Sequence, residues 1–127
     1  MSEPLECTIT SFISDDILFS VASGSLKLEA MFQQVMEIIA KAKEEDIHRY
    51  LFDHRNVALD FEKSDIFHLS HQLKDLGLKE GDRFAVLLPD DSYFHQWYTR
   101  FETSSVFHGN KVKIFNDESE ALQWLKL

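Results

Sequence analysis

The chain has one cysteine, Cys7, in 127 residues, which excludes an internal disulfide and any cysteine-based zinc cluster. Basic residues are scarce: 13 Lys and Arg stand against 22 Asp and Glu, for a net charge of −9. Such a surface repels phosphate backbones and anionic membranes alike, so neither nucleic acid nor a membrane is an expected partner. Long apolar runs are also missing. The longest, Phe84 to Leu88, falls far short of the roughly 20 residues a membrane-spanning helix needs. The opening Met1-Ser-Glu-Pro-Leu-Glu6 has neither the basic nor the apolar stretch of a secretory leader, so the cytoplasm is the expected compartment. Repeats, low-complexity stretches and linkers are absent, and residues 1–127 are expected to form one domain.

With 44% hydrophobic and 28% charged residues, the chain can build one core without metal or disulfide. Leu5 to Ile13 alternates loosely between apolar and polar residues, Ser14-Asp15-Asp16 signals a turn, and Ile17 to Ala22 returns as a second strand. After Gly24-Ser25, the spacing of Leu28, Met31, Phe32, Val35, Ile38, Ile39 and Ala42 predicts an amphipathic helix. His48 to Phe52 reads as a strand ending at Asp53, followed by a connection over Asn56 to Lys63 and a helix from about Ser64 to Leu76, stopped by Gly77. Arg83 to Leu88 has the continuous apolarity of a strand covered on both faces, and Pro89 ends it. A third helix follows, capped by Asp90, Asp91 or Ser92 and carrying Phe94, Trp97, Tyr98 and Phe101 on one face. Finally, Lys111 to Phe115 reads as a strand with Lys111 and Lys113 outward and Val112, Ile114 and Phe115 toward a core. Asp117-x-x-Glu120 then starts a fourth, short helix with Ala121, Leu122 and Leu125 on one face.

The expected order is β-β-α-β-α-β-α-β-α. Strands alternating with helices imply a mostly parallel five-stranded sheet, to which the N-terminal hairpin adds an antiparallel edge. This order resembles that of the SpoIIAA-like (STAS-like) bacterial domain family. So do the strand ending in Phe52-Asp53, the turn Leu76-Gly-Leu-Lys-Glu-Gly81, the strand Arg83 to Pro89 and the ending Val112 to Leu125. The resemblance covers nearly the whole chain, and the terminal motif is its most specific part. It implies a cytosolic, non-catalytic regulatory or protein-interaction domain, related in fold to anti-sigma factor antagonists and to the STAS domains of anion transporters. A more distant likeness to the CRAL-TRIO lipid-binding fold implies an alternative, a carrier or sensor for a small apolar ligand.

Anti-sigma factor antagonists carry a phosphorylatable serine in an Asp-Ser-x-Gly-like motif at a helix start. Here that place reads Asp60-Phe-Glu-Lys-Ser64-Asp65: the order is reversed and the glycine is missing. Ser64 is thus the one candidate switch residue. Asp60, Glu62 and Asp65 would oppose a phosphate there, and a plain helix-cap role accounts for the serine.

Other polar groups point to chemistry less well. Asp65, His68 and His71 share a helical spacing, but the sequence nominates no third ligand to complete a zinc site. Ser64 and His68 lack an orienting carboxylate or an oxyanion hole, so hydrolysis has no mechanism. Asp53-His54-Arg55 sits at the carboxyl end of a strand, where α/β sheets place ligands, although Asp53 as strand terminator and local backbone cap, with Arg55 answering an acidic surface, is the simpler reading. No catalytic residue, cofactor or metal is expected. The aromatic group of the third helix is expected to pack mostly on the sheet, and any exposed remainder of it is the candidate contact for a partner or ligand, with Phe94, Trp97 and Tyr98 as its named residues. A protein partner is expected, and a second copy of the chain is one form it could take.

Overall fold

The computed structural model describes residues 7–60, 62, 65, 81–89 and 111–127. Five strands, β1 (Thr8–Ser14), β2 (Ile17–Lys27), β3 (Arg49–Asp60), β4 (Arg83–Leu87) and β5 (Lys111–Phe115), form one sheet in the spatial order β1-β2-β3-β4-β5. β1 and β2 pair antiparallel, and every later neighbour pairs parallel. Two helices are described, α1 (Leu28–Glu45) and the terminal α2 (Glu118–Leu125). Apart from Asp65, the helices expected from about Ser64 to Leu76 and over Phe94 to Phe101 lie outside the described residues, together with Phe94, Trp97, Tyr98, Ser64, His68 and His71.

Local chemistry accounts for the breaks. Asp15 and Asp16 both take positive φ, 52° and 60°, in the two-residue turn joining Ser14 to Ile17. That mirror-type turn suits the right-handed twist of a hairpin, and a short polar side chain tolerates it better than a branched one. α1 ends where Asp46 turns left-handed at φ 56°. The Asp46 and Ile47 N–H groups both donate to the Ala42 carbonyl, and Ile47 and Ala42 are buried in the same cluster, which completes a left-handed stop.

The sheet has a core on each face. Leu18, Ala22 and Leu26 of β2 pack with Tyr50, Phe52, Phe84 and Val86 beneath Met31, Val35, Ile38, Ile39 and Ala42 of α1. Tyr50 and Phe84 are register partners, and their rings stack with centroids 4.4 Å apart. On the other face Ile17, Leu51, Ala85, Leu87 and Phe115 are covered by Ala121 and Leu125 of α2. The apolar run of β4 is thereby explained, because Phe84 and Val86 serve one core while Ala85 and Leu87 serve the other. Gln34 is a polar exception within the larger core: its Nε2 donates to Ser20 Oγ at 2.6 Å, and both side chains are buried.

Three details differ from the sequence reading. β2 continues past Ala22 to Lys27, because Gly24, at φ 96°, stays in the ladder opposite Val57 instead of opening a loop. β3 continues past Asp53 to Asp60, because one extra residue breaks its alternation without ending its pairing. Phe115 shares a face with Lys111 and Lys113, as a period of two requires. It packs under α2, whereas Val112 and Ile114 lean on the α1 core.

Candidate functional site

The first candidate lies on β3 at the level of Asp53, where β4 and β5 end at Leu87 and Phe115. Val21 pairs with Asp53 and Ser23 with Asn56, so Ala22 alone on β2 faces both His54 and Arg55 on β3. This is a β-bulge, a device that re-aims side chains. It turns the Arg55 guanidinium back over Asp53: Nε donates to Oδ1 at 2.9 Å and Nη2 to Oδ2 at 2.7 Å, while the Arg55 backbone N–H reaches Oδ1 at 3.1 Å. Burial raises the Asp53 pKa, but the Arg55 side-chain and backbone hydrogen bonds and its charge together outweigh burial and hold the carboxyl below its usual range. Asp53 in turn raises Arg55, with smaller contributions from Asp117 and Glu118 at the start of α2. His54 is buried, its ring tilted against Phe52 at 6.2 Å between centroids. Burial pushes its pKa down to about 4 against the opposing pull of Asp53, so the imidazole is neutral near pH 7.

The start of α2 closes this end. Asp117 caps the helix by accepting from the Ser119 N–H at 3.3 Å, and Glu118 and Glu120 place negative charge in its first turn, where the dipole favours it. The Asp117 cap agrees with the sequence reading.

A second constellation lies at the amino ends of the strands, and the sequence reading missed it. His48 Nδ1 lies 2.9 Å from Asp82 Oδ1 and Nε2 lies 3.0 Å from Asp46 Oδ1. Asp82 is buried, whereas Asp46 is exposed and sits in the left-handed turn that ends α1. Hydrogen bonding to Asp82, then to Asp46, raises the His48 pKa. The contact follows from topology: His48 and Asp82 immediately precede two strands that start in register, Arg49 opposite Arg83. The available sequence signal was an aspartate two residues before a histidine, with a Gly81-Asp82 pair before the next strand.

The same end carries a row of cations, Arg49, Arg83 and Lys111, paired across β3, β4 and β5. Like charges opposite one another are unfavourable, and Arg83 relieves part of this by donating Nη1 to the Trp124 carbonyl at 2.8 Å and lying over the Trp124 ring at 5.5 Å. Arg49 and Arg83 share a cleft of about 510 Å³ with the acidic Asp16, Glu45 and Asp46.

Among the described residues, no group of three or more His, Cys, Asp or Glu side chains is placed to hold a metal ion. Of the expected helical His pair and its neighbour, only Asp65 is described. It accepts from the Glu62 N–H at 2.9 Å, a capping contact at a turn. Cys7 is half-buried and free, with its thiol pKa raised by burial. No helix among the described residues is long and apolar enough to cross a membrane.

No protein-family model and no curated protein matches the chain. Among solved structures, it is similar to an uncharacterized protein of the DUF3478 family with a SpoIIAA-like fold from Shewanella loihica PV-4. The identity is 25% over 98% of each chain, with a TM-score of 0.57. It is also similar to an anti-sigma factor antagonist from Mycobacterium paratuberculosis, at 13% identity over 100% of both chains and a TM-score of 0.66. With the strand order, the hairpin edge and the docked terminal strand and helix, these likenesses establish that the chain has the SpoIIAA-like, or STAS-like, fold.

Proposed function

We propose that this is a non-catalytic regulatory or protein-interaction domain that works without an intact phospho-serine switch motif. The observation that carries this reading is the internal use of the polar groups at the carboxyl edge. Asp53 gives both carboxylate oxygens to Arg55, and His54 is buried and neutral. A general base or nucleophile must be within reach of a substrate atom, whereas Asp53 and Arg55 reach each other and His54 is buried. The likeness to a protein that antagonises an anti-sigma factor supports a role exercised on another protein. The carrier alternative rests on Phe94, Trp97 and Tyr98, outside the described residues, and the cleft beside Arg49 is lined by charged residues, His48 and Gly81, with no apolar side chain among them.

Purification from native cells with mild cross-linking, followed by titration of the recombinant partner so identified, tests the proposal. Saturable binding by a defined protein is the expected result. A stoichiometric small molecule in the native mass spectrum, with no protein bound, would replace it with the carrier reading. Stoichiometric phosphate on Ser64 would overturn the statement about the switch.

A further inference from the structure

The sheet has two edges, and they differ in kind. β5 exposes Lys111 and Lys113, the charged guard that ordinarily prevents an open edge from pairing with another chain. β1 has no such guard. It reads Thr8-Ile-Thr-Ser-Phe-Ile-Ser14, seven residues without charge, proline or glycine in a chain that is 28% charged. Its outer edge has no ladder partner among the described residues. Phe12 is 48% exposed and Ile13 37%, adjacent residues and two of the most exposed large apolar side chains described.

We propose that β1 is the docking edge for a second copy of this chain, the two β1 strands pairing antiparallel about a two-fold axis at Ser11. This goes beyond the regulatory reading and does not depend on it. The strand is self-complementary about its centre. With Ser11 opposite its own copy, Thr10 faces Phe12, Ile9 faces Ile13 and Thr8 faces Ser14, each pair occurring twice. Hydroxyl pairs, aromatic with β-branched pairs and paired isoleucines are favourable neighbours in antiparallel sheets. Phe12 already stacks on its register partner Phe19, with centroids 4.8 Å apart and planes 5° from parallel. In the proposed register the two Phe12 rings are diagonal neighbours, so the Phe19 and Phe12 stacks of both copies form one row across the axis.

Charge selects the partner. Two chains of net charge −9 repel, and a contact between them is cheapest along a segment that brings no carboxylate into the interface. Pairing of β1 with β5 of another copy would give an open filament. The β5 lysines oppose it, whereas pairing β1 with β1 closes at two copies.

Sedimentation velocity over a range of concentrations tests the proposal on the full chain. The wild type is expected to show a monomer–dimer equilibrium. Ser11→Lys with Ile13→Lys places like charge at the axis and should weaken the dimer at least about tenfold, while leaving the melting temperature unchanged at concentrations low enough for both proteins to be monomeric. A second test does not depend on how that variant folds. Directly opposed residues have Cα atoms about 4.5–5.5 Å apart, within disulfide reach. In a Cys7→Ser background, Ser11→Cys should therefore form a covalent dimer on oxidation. Ser14→Cys should not, since its counterpart lies six positions away at about 3.4 Å each. A wild type that stays monomeric throughout, a charged variant that dimerises as tightly as wild type, or cross-linking at Ser14 equal to that at Ser11 would each overturn the proposal.

Discussion

His48 Nδ1 lies 2.9 Å from the buried carboxylate of Asp82, so one imidazole ties the turn that ends α1 to the segment that enters β4. Asp82→Asn should lower the His48 pKa markedly, and Asp46→Asn should lower it less, since Asp82 is the larger cause. Proton NMR titration of the ring measures both. A folded pKa above the unfolded value means that the contribution to stability is complete below the unfolded pKa and is lost as pH rises through the folded one. Asp82→Asn should therefore flatten the loss of stability seen as pH rises above the ordinary imidazole value of 6.5.

His54 acts in the opposite sense. Its folded pKa, about 4, lies below the ordinary 6.5, so the unfolded chain takes up a proton first as the solution is acidified. Its contribution is complete above the unfolded value and disappears as pH falls from about 6.5 to about 4, roughly 3 kcal/mol in all. Urea denaturation at pH 7 and pH 5 should show this loss in the wild type. A His54→Leu variant should show a shallower slope, whatever its absolute stability.

The Asp53 and Arg55 pair predicts a non-additive cycle. Arg55→Ala leaves a nearly buried carboxylate without its fork and should cost about 1–3 kcal/mol, the partial exposure of Arg55 keeping the effect below that of a fully buried pair. Asp53→Asn in the same chain removes the stranded charge and should recover part of that loss. Equal, additive losses in chemical denaturation would show that the pair contributes nothing as a pair.

Docking of α2 is testable at one residue. Leu125 is fully buried against the face that holds Leu87 and Phe115, and Leu125→Ala should cost about 2–5 kcal/mol. Deleting residues from Asp117 onward should yield insoluble or molten protein, since several such contacts approach the roughly 5–15 kcal/mol stability of a small domain. A soluble truncation with an unchanged melting curve would contradict the packing of Ala121 and Leu125.

The sequence made the order of the described elements legible, because each carries an undisturbed local period. α1 repeats its apolar residues at the helical spacing, β4 is apolar on both faces, and Asp117 marks the start of α2. It hid what depends on contacts between strands. The second halves of β2 and β3 were concealed because Gly24 is usually a loop residue and because His54 and Arg55 interrupt the alternation. Neither signal reveals that Ser23 to Lys27 and Asn56 to Asp60 pair with each other. For the same reason the sequence assigns Asp53 to strand termination and backbone capping and Arg55 to an acidic surface, not to the fork they form with each other, and the His48 to Asp82 contact, 34 residues apart, was invisible. The candidates Ser64, Phe94, Trp97 and Tyr98 lie outside the described residues.

The doubled position at His54 and Arg55 also makes β3 tolerant of a change in length at one place. Tyr50 and Phe52 enter the α1 core before it and Val57 enters the same core after it, so even-numbered positions hand over to odd ones across the bulge. Removing one of the two residues would leave every later residue opposite its present neighbour on β2 and on its present face. A deletion elsewhere in the strand would turn its apolar residues inside out. A single codon could thus be lost at this joint and the sheet would still close, without the fork that Arg55 throws back over Asp53.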